Sequence, residues 1–177
     1  VVPQLKARLP KLTGFVCIDR PSEHGPSLEA WMAAAAGPYR AGLENPLAGA
    51  VLQPTGGTTG PSKAGLYTHR SLEMMFLSLR ECFRFTPDSR VLAAAPLTHA
   101  GGIVALACLC CGGRVVVTNL TTPGQALDEI ERERITHLFL PPTLLYVLIN
   151  EMQAAPRDVA SLKRIMTGAA PVAPDKG

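Results

Sequence analysis

Residues 53 to 63, Gln-Pro-Thr-Gly-Gly-Thr-Thr-Gly-Pro-Ser-Lys, hold the densest set of chemically useful groups in this chain. Gly56, Gly57 and Gly60 permit positive φ and let a ligand approach bare backbone, so successive amide N–H groups can converge on an anion. Thr55, Thr58 and Thr59 add hydroxyl donors, and Lys63 adds a positive charge on a long flexible stem. A polyphosphate is the guest that such a set suits. The same composition also describes an ordinary surface loop, since clusters of Gly, Pro and Thr are common loop material.

Two better-defined phosphate motifs do not fit. The tight G-x-x-x-x-G-K-[ST] loop fails because Lys63 follows Ser62 and precedes Ala64, and no G-x-G-x-x-G opens a helix. Read as Thr55-Gly-Gly-Thr-Thr-Gly-Pro-Ser-Lys63 and followed by Tyr67-Thr-His69, the stretch instead resembles the phosphate loop of the adenylate-forming superfamily. That superfamily includes acyl-CoA synthetases, aryl-CoA ligases, luciferases and peptide-synthetase adenylation domains. Its pattern is approximately Thr-Ser-Gly-Thr-Thr-Gly-x-Pro-Lys-Gly, and this sequence departs from it at Gly56, Ser62 and Ala64. Gly56 removes a hydroxyl that would face phosphate, and Ser62 removes a φ constraint beside Lys63.

Two further segments extend the resemblance. Pro96-Leu-Thr-His99 is similar to the family's Pro-x-x-His, which implies that His99 shapes the acyl or aryl pocket rather than acting as a general base. On its own, a loop histidine with no acid beside it reads as a hydrogen-bonded structural residue. Gly168-Ala169-Ala170-Pro171 resembles the family's Gly-x-Ala-Pro stretch, against which adenine lies. His69 matches the Thr-His after the family loop and reads as structural, while His24 and His137 suggest packing or surface roles. The resemblance runs from about residue 14 to the end of the chain.

The resemblance implies ATP, Mg²⁺ and coenzyme A as cofactors or cosubstrates, and a small carboxylic acid as the group activated. It also implies segments not found here: an aromatic-Gly-x-Thr-Glu whose Glu helps hold Mg²⁺, an Asp for the ribose, and a C-terminal domain with a catalytic Lys. The expectation is therefore an internal fragment of the large N-terminal domain of a longer ligase, with no complete catalytic set and little or no activity alone. Pro96 to Gly102 contains no acid to hold a substrate ammonium group, which favours fatty or aromatic acids over amino acids. Two other readings stand beside this one: a non-catalytic nucleotide- or anion-binding α/β module, and a structural domain with a decorated loop.

The elements that must position these segments follow from pattern. Apolar residues make up 47% and charged ones 18% of 177 residues, so one ordinary domain can bury a sizeable core. A net charge of +3 without a basic run or interleaved aromatics gives no sign of nucleic-acid binding. The five cysteines do not form the two separate C-x-x-C motifs of a zinc site, and read as reduced, mostly buried thiols of a cytoplasmic protein. No secretory signal opens the chain, and Ile103 to Cys111 is far shorter than a membrane span. Residues 1–47 read as a lead-in strand (Gly14 to Ile18), a helix capped by Ser27, and a linker.

Residues 48–177 read as a partial AMP-binding α/β domain. Short strands flank the loop at Ala48 to Leu52 and Gly65 to Thr68. A helix with Ser71 as N-cap puts Leu72, Met75, Phe76, Leu79, Cys82 and Phe83 on one face. Strands at Val91 to Ala95, Arg114 to Val117, His137 to Leu140 and Lys163 to Thr167 alternate with helices at Ile103 to Cys111, Pro123 to Arg134 and Pro142 to Met152. The last helix turns Leu144, Leu145, Leu148, Ile149 and Met152 inward. Such alternation predicts a largely parallel sheet with helices on both faces, and ligands outside the carboxyl ends of its strands.

Overall fold

The computed structural model describes residues 2–12, 14–35, 37–38, 45–55, 63–168 and 170–171. The chain divides into two compact units, Val1–Leu43 and Glu44–Gly177.

In the first unit, Val2–Arg8 forms α1 and Leu28–Ala33 forms α2. The Ser27 hydroxyl caps α2 by accepting from the Ala30 N–H at 3.2 Å, as the sequence predicts. The predicted strand over Gly14 to Ile18 does not form: Cys17 makes one isolated bridge, to Ser27. A strand needs a run of paired neighbours and a covered face; the described residues here supply one bridge and leave Phe15 and Cys17 no more than half-buried. α1 carries Pro3 in its first turn, where the missing N–H costs nothing.

Among the described residues, the second unit contains two sheets. Gly49–Thr55 (β1) and Lys63–Thr68 (β2) form an antiparallel hairpin, with Leu52 opposite Leu66 and Thr55 opposite Lys63. The strands flanking the glycine-rich loop therefore stand apart from the parallel sheet. After β2 comes α3, His69–Phe83. Its N-cap is Thr68, whose hydroxyl accepts from the Ser71 N–H at 3.1 Å, so the helix begins three residues before the position the sequence suggested. Ser71 instead donates back to the Thr68 carbonyl. The first helical N–H groups, of His69 and Arg70, are taken by the carbonyls of Ala48 and Pro46, which locks the start of α3 to the chain entering β1.

The larger sheet is parallel, ordered β4-β3-β5-β6, from Arg90–Leu92 (β3), Arg114–Val116 (β4), His137–Leu140 (β5) and Arg164–Thr167 (β6). Ala100–Cys110 (α4), Pro123–Glu133 (α5) and Pro142–Ala154 (α6) make the crossovers. Successive strand residues face opposite ways, so each strand feeds two cores. Val91 and Phe139 pack with Phe83, Phe85, Val104, Ala107 and Cys108 under α3 and α4. Leu92, Leu138 and Leu140 pack with Ala126, Leu127 and Ile130 of α5 and with Leu145 and Leu148 of α6. All four residues of β5 are buried, as expected of a central strand covered on both faces.

The helix faces differ from expectation in detail. On α3, Phe83 is buried and Met75, Phe76 and Leu79 are half-buried, but Cys82 is exposed. On α6, Leu144 and Ile149 are exposed, because that helix meets the sheet along a narrower stripe than its sequence offers. Of the cysteines only Cys108 is buried; Cys17 and Cys111 are half-buried and Cys82 and Cys110 exposed, which corrects the expectation of mostly buried thiols.

His137 is buried in this core, alongside the buried polar residues Ser89 and Thr136. Its Nε2 lies 3.0 Å from the Phe83 carbonyl, which can only accept, so Nε2 carries the proton. Its Nδ1 lies 2.7 Å from the Thr136 hydroxyl. Burial holds the imidazolium form down, and the Arg164 and Lys163 charges push the same way, while the Phe83 carbonyl opposes them; the net shift is below the ordinary 6.5.

Candidate active site

The hairpin fixes the two ends of the glycine-rich loop. Thr55 closes β1 and Lys63 opens β2 as its cross-strand partner, so whatever Gly56, Gly57, Thr58, Thr59 and Gly60 do, they do from a stem of paired strands. Those five residues, with Pro61 and Ser62, lie outside the described residues.

The second segment reaches the same hairpin. Ala93 to His99 leaves the carboxyl end of β3, and the Thr98 carbonyl accepts from Gln53 Nε2 on β1 at 3.4 Å. His99 is the residue before α4 and lies exposed; its Nδ1 is 3.0 Å from the Thr98 hydroxyl, which orients the ring. The glycines that follow are a packing requirement. A Cβ on Gly101 would stand 2.9 Å from the carbonyl oxygens of Ala95 and Pro96, and one on Gly102 only 1.9 Å from that of Leu97. The loop folds tightly over the first turn of α4, and His99 sits at its apex. A cavity of about 150 Å³ lies between hairpin and loop, bordered by Gln53, Pro54, Tyr67, Thr98, His99 and Ile103.

The third segment leaves the same edge of the sheet. Gly168, Ala170 and Pro171 follow β6, and with β5 between β3 and β6 the two loops start about 10 Å apart. Ala169 lies outside the described residues. Among the described residues, the Phe139 ring of β5 lies 3.7 Å from where a Cβ on Gly168 would stand, an ordinary van der Waals contact. Just before it, the Thr167 hydroxyl is buried with no hydrogen-bond partner. An orphaned hydroxyl at the carboxyl end of a strand, next to a glycine, is suited to meet a polar ligand atom.

Strand order identifies this edge as the place for a ligand. From β3 the chain passes through α4 to β4 on one side, and then crosses to β5 and β6 on the other, on the opposite face. The carboxyl ends of β3 and β5 therefore flank a topological switch point, where α/β proteins bind their ligands. The three segments singled out in the sequence are thus held as a hairpin stem against the β3 loop, with the β6 loop on the same sheet edge.

Sequence reasoning missed a larger space on the other face. Ala94, Pro96, Leu140, Leu144 and Val147 border a cavity of about 380 Å³ between α5, α6 and the sheet. Its wall is aliphatic, and the Thr121 hydroxyl at its rim is already bonded to Gln125. The exposed side of Leu144, read from the sequence as core, is the trace it leaves. Among the described residues, no three His, Cys, Asp or Glu side chains gather to hold a metal ion. No helix of the described residues is long and apolar enough to cross a membrane.

The chain is 34% identical over 127 residues to a feruloyl-CoA synthase of Amycolatopsis sp, covering 71% of this chain and 26% of that protein. It is 32% identical over 120 residues to a medium/long-chain fatty-acid–CoA ligase of Mycobacterium tuberculosis, covering 68% and 21%. Among solved structures, ATP-bound MatB from Rhodopseudomonas palustris superposes with a TM-score of 0.75 at 27% identity, over 87% of this chain and 31% of that one. The amide bond synthetase McbA from Marinactinospora thermotolerans gives 0.75 at 29%, over 98% and 36%. The chain thus spans about a quarter of the length of the curated relatives it matches. The model of the family described as AMP-binding enzyme matches residues 3–176, nearly end to end, and the chain belongs to that family.

Proposed function

We propose that this chain is part of an ATP-dependent carboxylate–CoA ligase, which activates a fatty or aromatic acid as its acyl-adenylate and passes the acyl group to coenzyme A. The observation that carries the proposal is the pairing of Thr55 with Lys63 at the stem of the glycine-rich loop, braced by Gln53 against the loop that bears His99. That brace supports reading the glycine-rich segment as a phosphate loop that works beside a carboxylate pocket at His99. The relatives named as feruloyl-CoA and fatty-acid–CoA ligases support the substrate class.

In this reading the acid's carboxylate attacks the α-phosphorus of ATP, and pyrophosphate departs. Charge builds on the phosphate oxygens as that happens. Amide donors from Gly56, Gly57 and Gly60, the hydroxyls of Thr55, Thr58 and Thr59, and the Lys63 ammonium stabilise it. His99, its ring set by Thr98, shapes the carboxylate side, and Gly168, Ala169, Ala170 and Pro171 offer a flat surface to adenine. Mg²⁺, arriving with the nucleotide, would neutralise phosphate charge. Residues 48–177 act as a partial AMP-binding domain behind the lead-in of residues 1–47, in a cytoplasmic enzyme. Alone, the 177-residue chain has little or no ligase activity.

Carboxylate-dependent exchange of pyrophosphate into ATP, measured on the longer protein that contains this segment, tests the proposal. Exchange is expected with a fatty or aromatic acid and not with amino acids, and Lys63→Ala should lower it by about 10²-fold. ATP binding without exchange for any acid would favour a non-catalytic nucleotide-binding module instead.

A further inference from the structure

The carboxyl end of α4 carries a second reactive feature, far along the helix from His99. Cys108-Leu109-Cys110-Cys111 spans the last turn, so Cys108 and Cys111 form a C-x-x-C pair. The Cys111 N–H donates to the Cys108 carbonyl at 3.0 Å. A turn closed in that way brings the two Cα atoms within about 7 Å. A disulfide requires about 4.4 to 6.8 Å.

The Cys108 sulfur is held on the side of the helix where the chain turns back. It lies 3.8 Å from the Arg114 carbonyl and 4.0 Å from that of Ser89, and a Cβ on Gly113 would come within 2.5 Å of it. Cys108 thus sits under the turn that carries Cys111, and Cys111 packs against the same core cluster. The two differ in access. Cys108 is fully enclosed, whereas Cys111 is half-buried and borders a groove of about 370 Å³ between α3 and α4, beside Arg80 and Cys110.

We propose that Cys108 and Cys111 are a redox pair that closes to an intramolecular disulfide when a peroxide reaches the α3–α4 groove. Cys111, the accessible member, attacks the peroxide O–O bond as its thiolate, giving a sulfenic acid and releasing hydroxide. The Cys108 thiol then attacks that sulfur, the S–S bond forms, and the sulfenic oxygen leaves as water with the Cys108 proton. The peroxide is the oxidant: its oxygens are reduced as both sulfurs are oxidised. Burial, with Cys111 nearby, pushes the Cys108 thiol up to about 11, so it is not the first nucleophile but the resolving partner.

The test treats the folded chain with a modest excess of hydrogen peroxide and measures intact mass and alkylatable thiols. The expected product has lost about 2 Da and two free thiols, and dithiothreitol restores both. Cys110→Ser and Cys82→Ser should form the bond as the wild type does. Cys111→Ser and Cys111→Ala should not, and their unchanged circular dichroism would separate loss of the bond from loss of the fold. The proposal fails if the wild type keeps all its thiols or gains oxygen without losing thiol pairs. It also fails if the bond survives Cys111→Ser, vanishes in Cys110→Ser, or links two chains.

Discussion

At the scale of single residues, His137 has the most direct thermodynamic consequence. Its ring is held neutral between Phe83 and Thr136, and it packs against Phe85 with ring centroids 5.0 Å apart. Its affinity for a proton is lowered in the folded chain and ordinary in the unfolded one. Below 6.5 the unfolded chain therefore binds more protons, and stability rises with pH in that window. The contribution is fully present above 6.5 and declines as pH falls through it, until the folded ring itself protonates. The slope from one such group is at most about 1.4 kcal/mol per pH unit. Urea unfolding between about pH 8 and pH 5 should show this decline, and His137→Gln should be less stable at the alkaline end but flatter across the window. Equal slopes for the two proteins would remove His137 from the account.

At the scale of elements, the turn from β3 into α4 is where geometry is least forgiving. Gly102 meets the Leu97 carbonyl oxygen so closely that no side chain fits, and that oxygen belongs to backbone that cannot rotate away. Gly102→Ala should destabilise the protein by roughly 1–3 kcal/mol through overpacking. It should also displace the loop that carries His99. Gly65 on β2, where an added Cβ would meet only the Gln53 carbonyl oxygen at 3.9 Å, is the contrasting position, and Gly65→Ala should be close to neutral. Urea midpoints for the two variants decide it; similar losses in both would mean that strand propensity, not the close approach at Gly102, governs the effect.

The same elements show what a sequence reveals and what it withholds. α5 was legible nearly to the residue, because Ala126, Leu127 and Ile130 repeat at helical spacing from Pro123 onward; the capping box of Thr122 and Gln125 that fixes its start emerged only from the structure. The strands of the parallel sheet were legible as short β-branched and aliphatic runs. The start of α3 was not, since Thr68 and Ser71 are both competent caps, and the choice fell to carbonyls from Ala48 and Pro46 that no local pattern foretells. The hairpin's independence from the parallel sheet was hidden for a similar reason: pairing partners are tertiary facts. The glycine-rich loop and Pro96-Leu-Thr-His99 stood out through residue type, yet the Gln53 to Thr98 contact that joins them spans distant parts of the chain.

At the scale of the whole chain, the distribution of burial sets where stability resides. Every buried apolar residue among those described, from Phe83 to Leu140, belongs to the second unit, whereas α1 and α2 contain none. Ile18, Trp31 and Met32 of the first unit expose much of their apolar surface. Burial of apolar area is the main favourable term in folding, so a segment that buries no whole side chain adds little to it. The two-faced core around β5 should accordingly fold without the first unit. Removing residues 1–43 is expected to leave one cooperative thermal transition with a nearly unchanged midpoint, measured by far-ultraviolet circular dichroism. A large fall in the midpoint, or loss of cooperativity, would mean that the first unit completes the core rather than preceding it. The first outcome would leave the switch-point edge, with His99 and Gly168 on it, as a property of the second unit alone.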